Sequence, residues 1–261
     1  MDLELAGRTA VVTGASKGIG LAITGALARE GVFVIAGARG SSPELDTLVR
    51  SGSVEFVAAD LAGPSGPALL AETALARGGV DILVNNVGAT TPRVQGFLSV
   101  TDEQWLTSIN LNLMAAVRMS RAVLPLMLEA GRGCIVTTGS VNAFLPDPLV
   151  IDYSAAKAAL TNFSKSLSKE VGGKGIRVNS VSPGPVATDL WLGATGVAQT
   201  VASTLGGDPA AVAAHAAADS VTGRFTQPSE IADLVVFLCS DRAGNITGSD
   251  VTIDGGLITT L

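Results

Sequence analysis

Tyr153 is the only tyrosine in 261 residues, and Lys157 follows it four positions later in "DYSAAK", 152–157. Residues four apart on a helix share a face, so phenol and amine can be neighbours. A tyrosine titrating near pH ~10 is a weak acid–base at neutral pH, and lowering it by about 2–3 units takes roughly 3–4 kcal/mol. One ammonium at ~4 Å, with an effective dielectric of about 20, supplies that much. The expectation is that Lys157 brings the Tyr153 phenol into a working range. On spacing alone, a core tyrosine beside a solvated lysine remains the alternative. Ser140 ends "TTGS", thirteen residues before Tyr153 and just past a β-branched run. A hydroxyl at the carboxyl end of a strand can hold a substrate oxygen while a phenol exchanges a proton with it. A serine there is equally a turn or helix cap.

A second group of residues has the chemistry of phosphate binding. "TGASKGIG", 13–20, places Gly14, Gly18 and Gly20 between a β-branched run and a helical pattern, with Ser16, Lys17 and Ile19 between them. Such a loop turns tightly and lets a pyrophosphate approach helix N–H groups with no Cβ in the way. About 20 residues further on, dinucleotide folds usually carry an acid for the ribose 2′-hydroxyl. Here Ala38 and Arg39 stand near that point. Without a carboxylate to repel a 2′-phosphate, and with Arg39 and Lys17 to attract one, NADP(H) is expected over NAD(H), which stays possible. The plainer alternative is that Arg39 is a solvated loop residue.

Other chemistries find no support. The single histidine, His215, lies in Ala-rich "AAVAAHAAAD" without a nearby serine or acid, which disfavours a hydrolase triad. Cys134 in "GCIV" and Cys239 in "VVFLCS" read as buried free thiols, with no CxxC and no ligand spacing, so no metal centre is expected. Net charge −6, with 17 scattered Lys and Arg, argues against a nucleic-acid or anionic-membrane surface. No apolar run approaches the roughly 18–20 residues that span a bilayer. The opening "MDLELAGR" lacks the apolar core of a secretory signal, and a cytoplasmic protein is expected.

The elements that must position these residues follow from periodicity. "TAVVTG", "VFVIAG", "VEFVAA", "DILVNN", "CIVTTG", "IRVNSVS" and "DVTIDGG" are seven short runs, nearly continuously hydrophobic as in parallel strands covered on both faces. Helical stripes alternate with them: Ile19, Ala22, Ile23, Ala26 and Leu27; Ala156, Ala159, Leu160, Phe163 and Leu167; Ile231, Leu234, Val235 and Leu238. This rhythm predicts an α/β fold, a doubly wound Rossmann-type sheet of about seven parallel strands in a single domain over 1–261. One stretch of about forty residues, 186–224, has no strand pattern and reads as a functional insert.

Taken together, the motifs resemble those of the short-chain dehydrogenase/reductase family in its single-domain form. The resemblance runs from "TGASKGIG" to "DGG" at 254–256 and includes "ADL" 59–61, "NNVG" 85–88, "W…NLN" from Trp105 to Asn112, Ser140, Tyr153 with Lys157, and "RVNSVSPGPVATD" 177–189. It implies that Tyr153 is the general acid–base, that Lys157 lowers its pKa and holds the nicotinamide ribose, that Ser140 orients the carbonyl, and that Asn112 holds a water in a proton relay. It further implies contacts to the cofactor from Asp60, Leu61, Asn86 and Gly88, and from Pro183, Gly184, Val186 and Thr188 along the nicotinamide. Asp60 as a helix cap and Asn112 as a helix-bending amide stay open. Two positions depart from the commoner pattern: Val87 stands where alanine is usual, and Gly139 where a second serine is frequent.

The implied reaction is hydride transfer between nicotinamide and a ketone or secondary alcohol. The insert would form the lid, with Leu190 and Trp191 against the substrate. From Val178 to Gly223 there is no Lys or Arg, which favours a neutral or hydrophobic ketone. A 3-oxoacyl thioester on an acyl carrier protein is the nearest alternative. Its basic docking surface is missing from the turn "LEAGRG", 128–133, which carries one Glu and one Arg. A non-catalytic NADP-binding regulator would have lost Tyr153 or Lys157, and both remain. The resemblance also implies a homotetramer, with helices around 103–128 and 153–171 at one interface and "DGGLITTL" near another.

Overall fold

The computed structural model describes residues 2–260; Met1 and Leu261, the outer ends of the leading acidic segment and of the C-terminal segment expected near an interface, lie outside the described residues. The seven expected strands form: β1 Thr9–Thr13, β2 Phe33–Ala38, β3 Val54–Ala58, β4 Ile82–Asn85, β5 Gly133–Thr138, β6 Ile176–Pro183 and β7 Asp250–Ile253. They make one all-parallel sheet in the order β3-β2-β1-β4-β5-β6-β7. Alternation along each strand decides which face a side chain meets. Val11, Ile35, Leu83, Ile135 and Val178 point to one core; Val12, Val34, Ala36, Ile82, Val84 and Val136 point to the other.

Helices cover both faces. On one side lie α1 (Gly18–Arg29) and α2 (Pro43–Arg50). On the other lie α3 (Ser65–Ala76), α4 (Asp102–Ile109), α5 (Ala115–Ala130) and α6 (Ile151–Val171). The insert folds as three short helices, α7 (Asp189–Leu192), α8 (Val197–Leu205) and α9 (Pro209–Ala218). It carries no strand beyond a single bridge, Val186 to Thr226. Then α10 (Pro228–Cys239) packs on the first face, opened by a capping box between Gln227 and Glu230.

The strand order reverses between β1 and β4. In such sheets the crevice above the carboxyl ends at the reversal is where ligands bind, because neighbouring crossovers lead away in opposite directions. The residues following β1, β4, β5 and β6 therefore share one edge. The turn 128–133 stands at the amino end of β5, opposite to Ser140, and Arg132 is paired with Asp81 at 3.0 Å. The charge of this turn therefore lies at the end of the sheet away from the crevice, and the expectation that it bears on a carrier-docking surface at the crevice mouth does not hold.

Helices α4 and α5 join as one run from Asp102 to Ala130, long and apolar enough by composition to cross a bilayer, where no such run was expected. Met119, Val123 and Met127 bury it against the sheet and Arg118 and Arg121 interrupt it, so it is a covering helix of this domain. The cysteines lie in different segments yet meet in one core, both buried and free, with Cys134 Sγ 3.4 Å from the Leu238 carbonyl. His215 is exposed on α9.

Candidate active site

The glycine loop sits at the reversal. Gly14 and Gly18 adopt φ of 66° and 54°, which L side chains rarely take. Gly20 is constrained by space: a Cβ there would lie 2.2 Å from the Gly14 carbonyl oxygen and 2.5 Å from Asn86 Nδ2. Helix α1 opens at this loop with no capping side chain at Lys17 and no acid in its first turn. Its first N–H groups and the positive end of its dipole are left for an anion. Lys17 and Arg39 are both exposed, and neither makes an ion pair among the described residues. Thr13 pairs with Gly37, which brings Arg39, just past β2, alongside the loop. Ser16 is part-buried in the loop, while the Ile19 side chain packs on the core and leaves only its backbone to a ligand.

Asn86 is where expected, just past β4, but its amide is occupied. Nδ2 donates to the carbonyls of Thr13 (3.0 Å) and Gly14 (3.4 Å), and Oδ1 accepts from Thr138 Oγ1 at 3.3 Å. It ties the ends of β1, β4 and β5 together beneath the loop. Thr13, which the sequence reading passed over, accepts the backbone N–H of Asn86 and Val87. Asp60 is exposed beyond β3 and accepts from Ala62 N at 3.0 Å. It is not the cap of α3, since Pro64 holds that position. Leu61 is buried, its side chain packed into the core at 4% exposure.

The acid–base residues converge on the same edge. Ser140 follows β5 and is buried; its hydroxyl donates to Asn142 Oδ1 at 3.1 Å, accepts from Asn142 N at 3.2 Å, and acts on the Tyr153 phenol to lower its pKa. It is at once a turn cap and a partner of Tyr153. Lys157 lies in the first two turns of α6 at 3% exposure, donating to the Thr138 carbonyl at 2.7 Å, with Nζ 5.6 Å from the Tyr153 ring centre. Burial pulls the lysine down to about 8. The phenol moves the other way: burial pushes it above its ordinary value, and the Ser140 bond only partly offsets this. The expectation that Lys157 makes the phenolate accessible is thus reversed here, because desolvation dominates and the amine is directed at a carbonyl. A raised phenol stays protonated at neutral pH, the form that can donate to a carbonyl oxygen.

Asn112 sits in a π-helical segment, Asn110–Met114, between α4 and α5. Its side chain holds both sides of Ala89, accepting from N at 3.0 Å and donating to O at 2.9 Å. Both open readings thus have a basis, because the amide marks an irregular helix and also faces the site. Gly88 lies between Asn112 and Lys157: a Cβ there would be 3.0 Å from Asn112 Oδ1 and 3.4 Å from Lys157 Nζ. The segment after β6 closes the opposite wall. Gly184 runs against Asp254, Val186 is buried, and the Thr188 methyl leans over Gly18. Trp191 packs edge-on against Phe225, with centroids 5.3 Å apart, anchoring the insert, while Leu190 is exposed.

The chain is similar to known proteins over nearly its whole length. A family profile described as enoyl-(acyl carrier protein) reductase matches residues 14–258. The chain is 36% identical over 259 residues to the 3-oxoacyl-[acyl-carrier-protein] reductase FabG of Vibrio cholerae serotype O1, covering 98% of this chain and 99% of that one. It is 34% identical to the uncharacterized oxidoreductase YvrD of Bacillus subtilis, with both chains covered in full. Among solved structures it matches L-sorbose reductase from Gluconobacter frateurii, crystallised with NADPH and L-sorbose, at TM-score 0.91 and 37% identity over the whole of both chains.

Proposed function

The chain belongs to the short-chain dehydrogenase/reductase family, and from that premise we propose that it is an NADP(H)-dependent carbonyl reductase acting on a neutral ketone. The observation that carries the reading is the meeting of Ser140, Tyr153 and Lys157 on the strand edge that also carries the glycine loop. The cradle suits a pyrophosphate, since α1 is uncapped and side chains at 14, 18 or 20 would be strained or would fill it. Lys17 and Arg39 would face a 2′-phosphate, and Asp60 the adenosine. Gly88 and the stretch Pro183–Thr188 would line the nicotinamide end. The NADPH-bound sorbose reductase supports the same cofactor.

The cofactor supplies the hydride when bound, and the protein's residues supply position and a proton. Ser140 donates to the carbonyl oxygen and holds it toward the phenol. Tyr153, kept protonated by burial, delivers the proton as charge develops on that oxygen. Lys157 then stabilises the phenolate, and a proton returns along the side where Asn112 and Lys157 flank Gly88.

Substrate neutrality rests on the insert, which has no Lys or Arg before Arg224 at its end and exposes Leu190, Leu192 and Leu205. The sorbose reductase acts on a neutral ketone, whereas the FabG relatives favour a second reading, an oxoacyl thioester on a carrier protein. A homotetramer, a lid role for 186–224 and a cytoplasmic location belong to the same proposal. The test is steady-state oxidation of NADPH with neutral ketones, ketoses and an acetoacetyl thioester, for the wild type and for Tyr153→Phe. Loss of several orders of magnitude in kcat with cofactor binding retained is expected. Undiminished turnover by Tyr153→Phe would refute the mechanism.

A further inference from the structure

The helix that carries Tyr153 begins without a capping side chain: Val150, at its start, makes no such bond. The short turn that leads into it, Pro148–Val150, is capped by Asp147, whose Oδ1 accepts from Leu149 N at 2.8 Å. The start of the helix is also held from outside by Arg93, in the loop between β4 and α4. Arg93 N donates to the Leu149 carbonyl at 2.6 Å. Its guanidinium takes Asp152 bidentately, Nη2 to Oδ2 at 2.6 Å and Nε to Oδ1 at 3.3 Å. The pair is nearly sealed from water, with side-chain exposures of 14% and 3%.

Burying two charges is costly, and replacing such a pair by apolar groups is often neutral for stability. An acid in the first helical turn also favours the dipole, but a dipole effect needs neither burial nor a fork. The pair's position accounts for it better. The same loop is pinned at Ala89 by Asn112, and its Gly88 separates Asn112 from Lys157. One short segment, 88–93, thus touches the residues around Lys157 at one end and the turn that aims Tyr153 at the other.

We propose that Arg93 and Asp152 form a positioning latch that couples the 88–93 wall of the site to the orientation and charge environment of the Tyr153 phenol. It rests on the carbonyl-reductase reading and adds two residues to it, neither of which touches the reacting atoms. Around the first turn of this helix the charged groups are Asp152 and Lys157 on the helix itself, Arg93 from the loop, and exposed Asp147 in the turn before it. The neighbouring turns 141–143 and 110–114 bring none, and α4 carries Asp102 and Glu103, both exposed. Removing one partner of the latch therefore leaves the other charge unpaired in a nearly sealed site.

The test compares Arg93→Gln, Asp152→Asn and the double variant with Tyr153→Phe, following kcat, NADPH Kd and the alkaline limb of the reduction. Each single variant should lower kcat about tenfold or more while leaving the NADPH Kd within about threefold. Arg93→Gln leaves an unpaired carboxylate one residue before Tyr153 and moves the limb up; Asp152→Asn leaves an unpaired guanidinium against that turn and moves it down, each by about half a unit. The double variant should return the limb to its original place without restoring kcat. If Arg93→Gln does not fold, Arg93→Lys and Asp152→Asn carry the test, because lysine keeps the charge and loses the fork. Wild-type kcat with an unmoved limb, or shifts of the same sign in both singles, overturns the latch. If Tyr153→Phe is inactive in that experiment, the functional reading stands without the latch; if Tyr153→Phe is fully active, the reading itself fails.

Discussion

Two glycines seven and two residues into α1, Gly25 and Gly20, are expected to respond to alanine with opposite signs. At Gly20 the new methyl would lie 2.2 Å from the Gly14 carbonyl oxygen, 2.8 Å from its carbon and 2.5 Å from Asn86 Nδ2. Two of these are backbone atoms of the loop, so relief requires the loop to move by about 1 Å, and overpacking of this kind costs about 1–3 kcal/mol. At Gly25 the nearest atoms are Arg29 Nη1 at 3.5 Å and Leu48 Cδ1 at 3.6 Å, ordinary contacts with flexible ends. Alanine there gains about 0.5–1 kcal/mol of helix propensity. At about 2–4 °C per kcal/mol for a chain of this size, Gly20→Ala should lower the thermal midpoint by about 2–12 °C and Gly25→Ala should raise it by about 1–4 °C. NADPH titration should show at least a roughly tenfold weaker Kd for Gly20→Ala, about 1.4 kcal/mol, and no change for Gly25→Ala. Paired melts at fixed protein concentration with titrations decide the matter. Equal behaviour of the two variants, or wild-type NADPH affinity in Gly20→Ala, would refute the cradle.

Lys157→Met should abolish turnover yet stabilise the protein at pH 7 by up to roughly 3 kcal/mol, the cost of a lysine pulled from 10.5 to about 8. Because the folded pKa lies below the unfolded one, that cost is present below pH 8 and fades as pH rises toward 10.5. The midpoint difference between variant and wild type should therefore shrink from pH 7 to 10, and a constant difference would contradict the burial argument. Above pH 10 the raised Tyr153 phenol acts in the opposite sense, since the unfolded chain loses that proton first. Arg39→Gln should raise the KM for NADPH about tenfold and leave that for NADH nearly unchanged; parallel changes would show that Arg39 does not face the 2′-phosphate. Asn86→Ala removes bonds tying three strands under the loop and should cost about 2 kcal/mol in stability while weakening NADPH binding, as read by denaturation with and without cofactor.

Much of this protein is local and therefore readable from residue order. Strand runs such as "TAVVTG" and "CIVTTG" announce burial on both faces because each side chain's face follows from alternation alone, and the spacing of Tyr153 and Lys157 needs only a helix. The glycine pattern is legible for the same reason, since Gly14 and Gly18 adopt backbone angles that few other residues take. What those residues experience is not local. Whether the phenol rises or falls depends on how much water the packed sheet removes and on the Thr138 carbonyl that attracts the lysine. Leu61 reads as a neighbour of Asp60 until packing sends its side chain into the core. Asn86 becomes a staple only because β1, β4 and β5 are adjacent, and Arg93 finds Asp152 across 59 positions. Sequence by itself determined the alternation of elements and the identity of the reactive groups, because propensity and periodicity act over a few residues. Tertiary structure alone decided their protonation, their partners and which of them face the crevice, because desolvation and long-range hydrogen bonds depend on which distant segments are packed together.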